Sequence, residues 1–170
     1  FVGGFLAGSG AVRNGSLDVA PTAGASTITC AGASTLVANR ASNVTVWVEG
    51  GLYGDATLTT LEGAVNAGTL RLESINGSYP SVVSIGGSNL VNTGSGVIEA
   101  NTGTGGARWI SGNFVNQGLV NATNGYLDFH GTYEAAGGRI AGAGRLRSAN
   151  LRVTASPNEP TLLDLWGNTT

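Results

Sequence analysis

The sequence predicts an all-β fold, a right-handed parallel β-helix, and three observations point to it. A Val-Asn-x-Gly element recurs at near-equal intervals, short stretches alternate apolar with polar residues, and glycine-rich pairs separate those stretches. The repeat organises the other two. Val65-Asn66-Ala67-Gly68 returns as Val91-Asn92-Thr93-Gly94 and again as Val115-Asn116-Gln117-Gly118, some two dozen positions apart each time. That interval is too short for a propeller blade and has no helical half for an ankyrin or tetratricopeptide unit. It suits one coil of three short strands and three turns. About seven such rungs of roughly 24 residues would stack into a rod on the order of 35 Å tall, a single domain over residues 1–170. An antiparallel β-sandwich is the alternative, since it shares the short strands and glycine turns, but it carries no long-period self-similarity.

Composition supports an all-β chain and narrows its chemistry. Glycine supplies 29 of 170 residues with no collagen triplet, so it serves turns and close backbone contacts. Lysine and methionine are missing and only six residues are glutamate, an alphabet in which a long solvated helix is hard to write. With 11% charged and 41% apolar residues the chain is not of the disordered type. A net charge of −2 offers no basic field for nucleic acid, and no apolar run reaches the roughly 20 residues of a membrane span.

Along the chain, the apolar stretch holding Phe1, Val2, Phe5 and Leu6 reads as a cap over the first rung or as a segment docking on a neighbouring copy. Asn14-Gly15 marks a turn. Ser26-Thr27-Ile28-Thr29-Cys30 is a strand that buries the single cysteine. Leu36-Val37-Ala38-Asn39 is a weak upstream copy of the repeat, one further interval before Asn66. In Val44-Thr45-Val46-Trp47-Val48 the valines face in, which sends Trp47 outward. Residues 56–61 alternate again, and in 69–73 Leu70 and Leu72 point in while Arg71 and Glu73 point out. Gly50-Gly51, Asn76-Gly77, Gly86-Gly87, Gly105-Gly106, Asn124-Gly125 and Gly137-Gly138 are corners. Residues 126–130 form a strand with Tyr126 on its outer side. Tyr133-Glu134-Ala135-Ala136-Gly137 is a degenerate fourth copy.

The repeat has a physical rationale. Stacked once per coil, Asn66, Asn92 and Asn116 would form a hydrogen-bonded ladder, each amide donating to one neighbour and accepting from the other. Asparagine also tolerates a positive φ. Gly68, Gly94 and Gly118, two residues on, would complete each bend without Cβ crowding.

Leu90-Val91-Asn92-Thr93-Gly94-Ser95-Gly96-Val97-Ile98 and Phe114-Val115-Asn116-Gln117-Gly118-Leu119-Val120-Asn121 resemble the rungs of filamentous-haemagglutinin-type and autotransporter-type β-helices, as does Gly138-Arg139-Ile140-Ala141-Gly142-Ala143-Gly144. The likeness spans about half of the chain. It implies a secreted or surface-displayed bacterial protein with an adhesive or fibre-forming role, of which this chain would be an excerpt. The expectation is a structural or adhesive module, extracellular or on the bacterial cell surface, whose partners are copies of itself or surface glycans. The rival is a carbohydrate-active or glycan-binding β-helix, in its enzymatic form a polysaccharide lyase or hydrolase.

Candidate sites are few. Asp128 and His130 share one strand face, with Glu134 beyond Gly131, and a carboxylate–imidazole pair suits acid–base work or a metal. Their parity opposite Leu127 and Phe129 is equally that of a solvated face, so no catalytic residue, cofactor or metal is assigned. Arg139, Arg145, Arg147 and Arg152 form a local cationic cluster suited to an anionic polysaccharide. Trp47, Trp109, Tyr53, Tyr79 and Tyr126 are the aromatics available for an outer contact, Trp47 and Tyr126 foremost.

Overall fold

A computed structural model of the chain describes residues 10–51, 53–122, 126–142, 145–155 and 164–165. Among them every element is a strand, and every pairing between strands is parallel. Parallel neighbours in one sheet demand a crossover between them. Here the crossover is the rest of each coil, so the chain is a β-solenoid.

One face is a seven-stranded sheet of β1 (Gly10–Arg13), β3 (Ser26–Ala31), β5 (Val44–Gly50), β8 (Thr69–Ser74), β11 (Val97–Ala100), β13 (Leu119–Asn121) and β15 (Arg139–Ala141). The second sheet folds over a corner and supplies two faces. Its strands are β2 (Ser16–Val19), β4 (Ala33–Asn39), β6 (Ala56–Thr60), β7 (Ala64–Asn66), β9 (Ser81–Ile85), β10 (Leu90–Asn92), β12 (Arg108–Asn116), β14 (Tyr126–Ala136), β16 (Arg145–Ala155) and β17 (Asp164–Leu165). The fold-over is explicit in β12, which pairs with β9 through residues 108–111 and with β10 through 114–116. Gly112, at φ 103°, makes the bend between them.

Register along the seven-stranded sheet runs from Gly10 to Ile28, Val46, Leu70, Ile98, Val120 and Ile140. These steps are unequal, shortest up to Val46 and longest between Leu70 and Ile98. The solenoid has about six turns of roughly 22 residues, fewer and shorter than the repeat interval predicts. The first two coils turn tightly, while the corners at 51–55, 75–80 and 101–107 are longer. A fixed interval read from the central repeats overstates the lower coils and understates the middle ones.

Alternation builds the core. Ile28, Val46, Leu70, Ile98, Val120 and Ile140 stand in one column of register partners, and Leu58, Val83, Ile110 and Phe129 in another. From Ile28 to Val120, and from Leu58 to Phe129, these side chains are 3% exposed or less, each contributing about 1.5–3 kcal/mol. Phe114, Phe129 and Tyr133 fill the interior of the upper coils, with ring centroids 4.9–5.7 Å apart. Cys30 lies buried beneath Val48, and burial pushes its thiol up to about 12.

Candidate functional site

The repeat forms an internal column. Asn39, Asn66, Asn92 and Asn116 are register partners on successive coils, and each is at most 1% exposed. Their amides run in one direction. Nδ2 of Asn39 donates to Oδ1 of Asn66 at 3.1 Å, Asn66 to Asn92 at 2.9 Å, and Asn92 to Asn116 at 2.9 Å. Nδ2 of Asn116 then donates to the Tyr133 hydroxyl at 2.9 Å. In the degenerate fourth copy Ala135 takes the asparagine position, so Tyr133, stacked over Phe114, ends the ladder. The weak upstream copy contributes Asn39 as a full rung, with Val19 in register beneath it. Oδ1 of Asn39 has no partner.

Two details of the expected ladder are corrected. None of its asparagines adopts a positive φ; among the described non-glycine residues only Asn14 does, at 52°. The residue type is needed for its two-way amide, which also binds the following turn: Nδ2 of Asn66 reaches the Gly68 carbonyl at 2.9 Å, and Nδ2 of Asn92 reaches that of Gly96 at 3.1 Å. The second correction is Gly94. A Cβ there meets nothing within 4 Å, whereas one on Gly96 would overlap the Asn66 carbonyl and the Asn92 amide oxygen. Because Val97 pairs with Thr69 and Leu119 with Val97, the glycine column is Gly68, Gly96, Gly118. Its purpose is space, not φ, since none of the three has a positive φ.

The corner between the seven-stranded face and the next carries three exposed tyrosines and an exposed isoleucine. Tyr53 is 49% exposed, Ile75 42%, Tyr79 36% and Tyr126 50%. They sit on loops 51–55 and 75–80 and at the start of β14, all at this corner. The guanidinium carbon of Arg13 lies 4.3 Å from the Tyr53 ring centroid. The Tyr79 carbonyl accepts from the Ser74 hydroxyl at 2.7 Å.

Arg108 holds the same corner from inside. It shares the inward parity of Ile110 and is 5% exposed. Its Nε donates to the Tyr126 carbonyl at 3.1 Å, and Nη1 reaches those of Thr102 and Gly105 at 3.3 and 3.5 Å. Desolvation lowers its pKa, opposed by the charges of Asp128 and Glu73. A buried guanidinium among carbonyls satisfies backbone acceptors that a wide glycine-rich loop leaves open. Sequence reading missed it by treating arginine as a surface charge; the alternation Arg108-Trp109-Ile110 was the signal.

The remaining candidates are dispersed. Trp47 points out from β5 and its Nε1 donates to the Glu73 carbonyl at 3.3 Å. Asp128 and His130 lie on the outer side of β14, and His130 stacks on Trp109 with centroids 5.7 Å apart. Glu134 is on the next face, bound to Arg152 at 3.2 Å and to Thr154 at 3.0 Å. Among the described residues no group of three or more His, Cys, Asp and Glu side chains could hold a metal ion, and no helix is long and apolar enough to cross a membrane. Arg139 borders a groove of about 340 Å³ over the glycine column, while Arg152 lines another of about 320 Å³ on a different corner. The backbones of Arg145 and Arg147 lie in β16, paired with Tyr126 and Asp128; their side chains, like Phe1, Val2, Phe5 and Leu6, lie outside the described residues. Comparison with protein-family models, with curated proteins and with solved structures finds no match.

Proposed function

We propose that this chain is a structural and adhesive module of a secreted bacterial surface protein or filament, of the filamentous-haemagglutinin or autotransporter type. The observation that carries this reading is the asparagine ladder inside a continuous apolar core. It ties four coils to one another by side chains as well as by backbone. A slip of one residue would turn Asn66 outward and Val65 inward, so the register is locked along the rod. Rigidity of that kind suits a spacer that holds a contact surface away from a cell. Charge use agrees, since Arg71 pairs with Glu99 across coils at 3.0 Å and Arg152 with Glu134. The bacterial and extracellular address rests on the rung motifs of residues 90–98, 114–121 and 138–144.

The test is retention under flow. Beads carrying the folded chain should be held on intact cells or isolated bacterial envelopes, and beads carrying the urea-unfolded chain should wash off. Retention no better than that of bare beads ends the adhesive reading. Electron microscopy of the purified chain separates single rods from filaments and so decides whether copies assemble.

A further inference from the structure

We propose that the tyrosine-bearing corner is a track for a neutral linear glycan, laid along the rod axis with pyranose rings against Tyr53, Tyr79 and Tyr126. This deepens the adhesive reading above and rests on it. Three of the chain's four tyrosines stand at this corner, on the third, fourth and sixth coils, and the fourth is in the core. Adjacent coils are about 4.8 Å apart, a step close to one sugar unit of an extended chain, so Tyr53 and Tyr79 address neighbouring rings.

The fifth coil has no aromatic at this corner. Its loop there runs Asn101-Thr102-Gly103-Thr104-Gly105-Gly106-Ala107, in which Gly103, Gly105 and Gly106 have positive φ. It presents small side chains, hydroxyls and peptide groups on the coil between those of Tyr79 and Tyr126. From Tyr53 to Tyr126 the track covers three coil steps, on the order of 14 Å, room for about four sugars.

The chemistry favours a saccharide over a second protein surface. A protein contact of this size would centre on a continuous apolar patch. Here one exposed aliphatic side chain, Ile75, stands among tyrosines that are apolar on the ring and polar at the hydroxyl, and threonine and glycine fill the interval between Tyr79 and Tyr126, which matches the C–H faces and hydroxyl rims of pyranoses. Asn76 and Ser78, on the exposed side of loop 75–80, add amide and hydroxyl groups. Among the described residues the charges at this corner are Arg13, engaged with Tyr53, the buried Arg108, Glu73, held by Asn101, and the exposed Asp55; they offer an anionic chain no unengaged guanidinium, which favours a neutral one. The tyrosines are also held in place: Arg13 lies over the Tyr53 ring, and Ser74 and Arg108 donate to the main-chain carbonyls of Tyr79 and Tyr126. Such pre-organisation lowers the entropy lost on binding.

The test uses the whole chain with ¹³C-labelled tyrosine rings, titrated with neutral tetrasaccharides of glucose, mannose, galactose and N-acetylglucosamine in α and β linkage. For at least one of them the signals of Tyr53, Tyr79 and Tyr126 should shift together and saturate while that of Tyr133 stays put. That tetramer should bind at least tenfold tighter than its monosaccharide. Tyr79→Ala should weaken it at least tenfold with an unchanged urea midpoint. The proposal is overturned if no ring responds to any tetramer, if Tyr79→Ala leaves binding intact, or if the rings shift with protein concentration alone, which would make the corner a contact between copies. Retention of coated beads without any ring response overturns the track and leaves the adhesive reading standing; loss of retention removes both.

Discussion

Replacing Asn92 by alanine should destabilise the chain far more than replacing Asn39, although both are buried rungs of one ladder. Asn92 accepts from Asn66 at 2.9 Å and donates to Asn116 at 2.9 Å and to the Gly96 carbonyl at 3.1 Å. Truncation removes two ladder bonds and leaves Oδ1 of Asn116 with only the Gly118 amide at 3.3 Å. At about 1 kcal/mol per net bond, the two ladder bonds and the bond to the Gly96 carbonyl together amount to about 3 kcal/mol. Asn66 is cushioned, because its Nδ2 still reaches the Gly68 carbonyl. At Asn39 the balance differs. Its removal strands Oδ1 of Asn66, but it also removes an amide oxygen that was itself buried without a partner. Those two penalties offset, leaving about 1 kcal/mol. With a urea dependence of about 1–3 kcal/mol per molar, that difference of about 2 kcal/mol should separate the two midpoints by roughly 0.7–2 M. Trp47 on β5 and Trp109 on β12 report different coils, so tryptophan fluorescence shows whether the coils unfold together. An Asn39→Ala loss equal to or larger than that of Asn92→Ala would refute the directional ladder.

Further outcomes follow from the same geometry. Gly96→Ala should cost about 1–3 kcal/mol through overlap with Asn66 and Asn92, whereas Gly94→Ala, which meets nothing, should leave the urea midpoint unchanged; equal effects would mean that the glycine column is misplaced. Arg108→Met should cost about 2–4 kcal/mol by removing bonds to three carbonyls, of which that of Thr102 keeps the Gly105 amide, and Arg108→Lys should recover only part, because a point charge cannot span them; thermal denaturation distinguishes the pair. Glu49 is 8% exposed, stands in register with Glu73, and burial raises its pKa. A raised carboxyl favours the folded state below the usual carboxylate range near pH 4 and loses that favour as pH climbs through the folded value. Glu49→Gln should therefore stabilise at pH 7, with the gain vanishing near pH 3; a gain independent of pH in urea titrations would rule this out. With its thiol pushed up to about 12 by burial, Cys30 should resist thiol reagents at pH 8 until denaturant opens the rod; rapid labelling of the native chain would contradict its place in the core.

How much of this was legible in the sequence depended on which way a residue faces. Asn66 was readable because Ala64 and Leu70 fix the inward side of its coil, so a polar residue recurring at that parity needed an internal partner. Asn39 read weakly because Leu36-Val37-Ala38-Asn39 lacks the glycine two residues on, and its coil turns more tightly. Gly94 was the wrong glycine because Thr93-Gly94-Ser95-Gly96 offers two, and only the pairing of Val97 with Thr69 selects the second. Tyr53, Tyr79 and Tyr126 were visible as a pool but not as a row. Their separations in the sequence share no period, and loops of unequal length bring them to one corner.

That inequality is itself informative. Strand segments facing the core vary little, because each must bury the residue above and below its own position, and a single insertion there would invert every side chain beyond it. The corner loops carry no such constraint. The long register steps from Val46 to Leu70 and from Leu70 to Ile98 are taken up in part at 51–55 and 75–80 without disturbing the columns on either side. A rod built this way can change its surface at one edge while leaving its core intact, as surface loops on rigid scaffolds commonly do. The edge holding the longest loops also holds the outward tyrosines and a buried arginine that braces them, so a binding surface has the freedom to develop there without cost to the stacked coils.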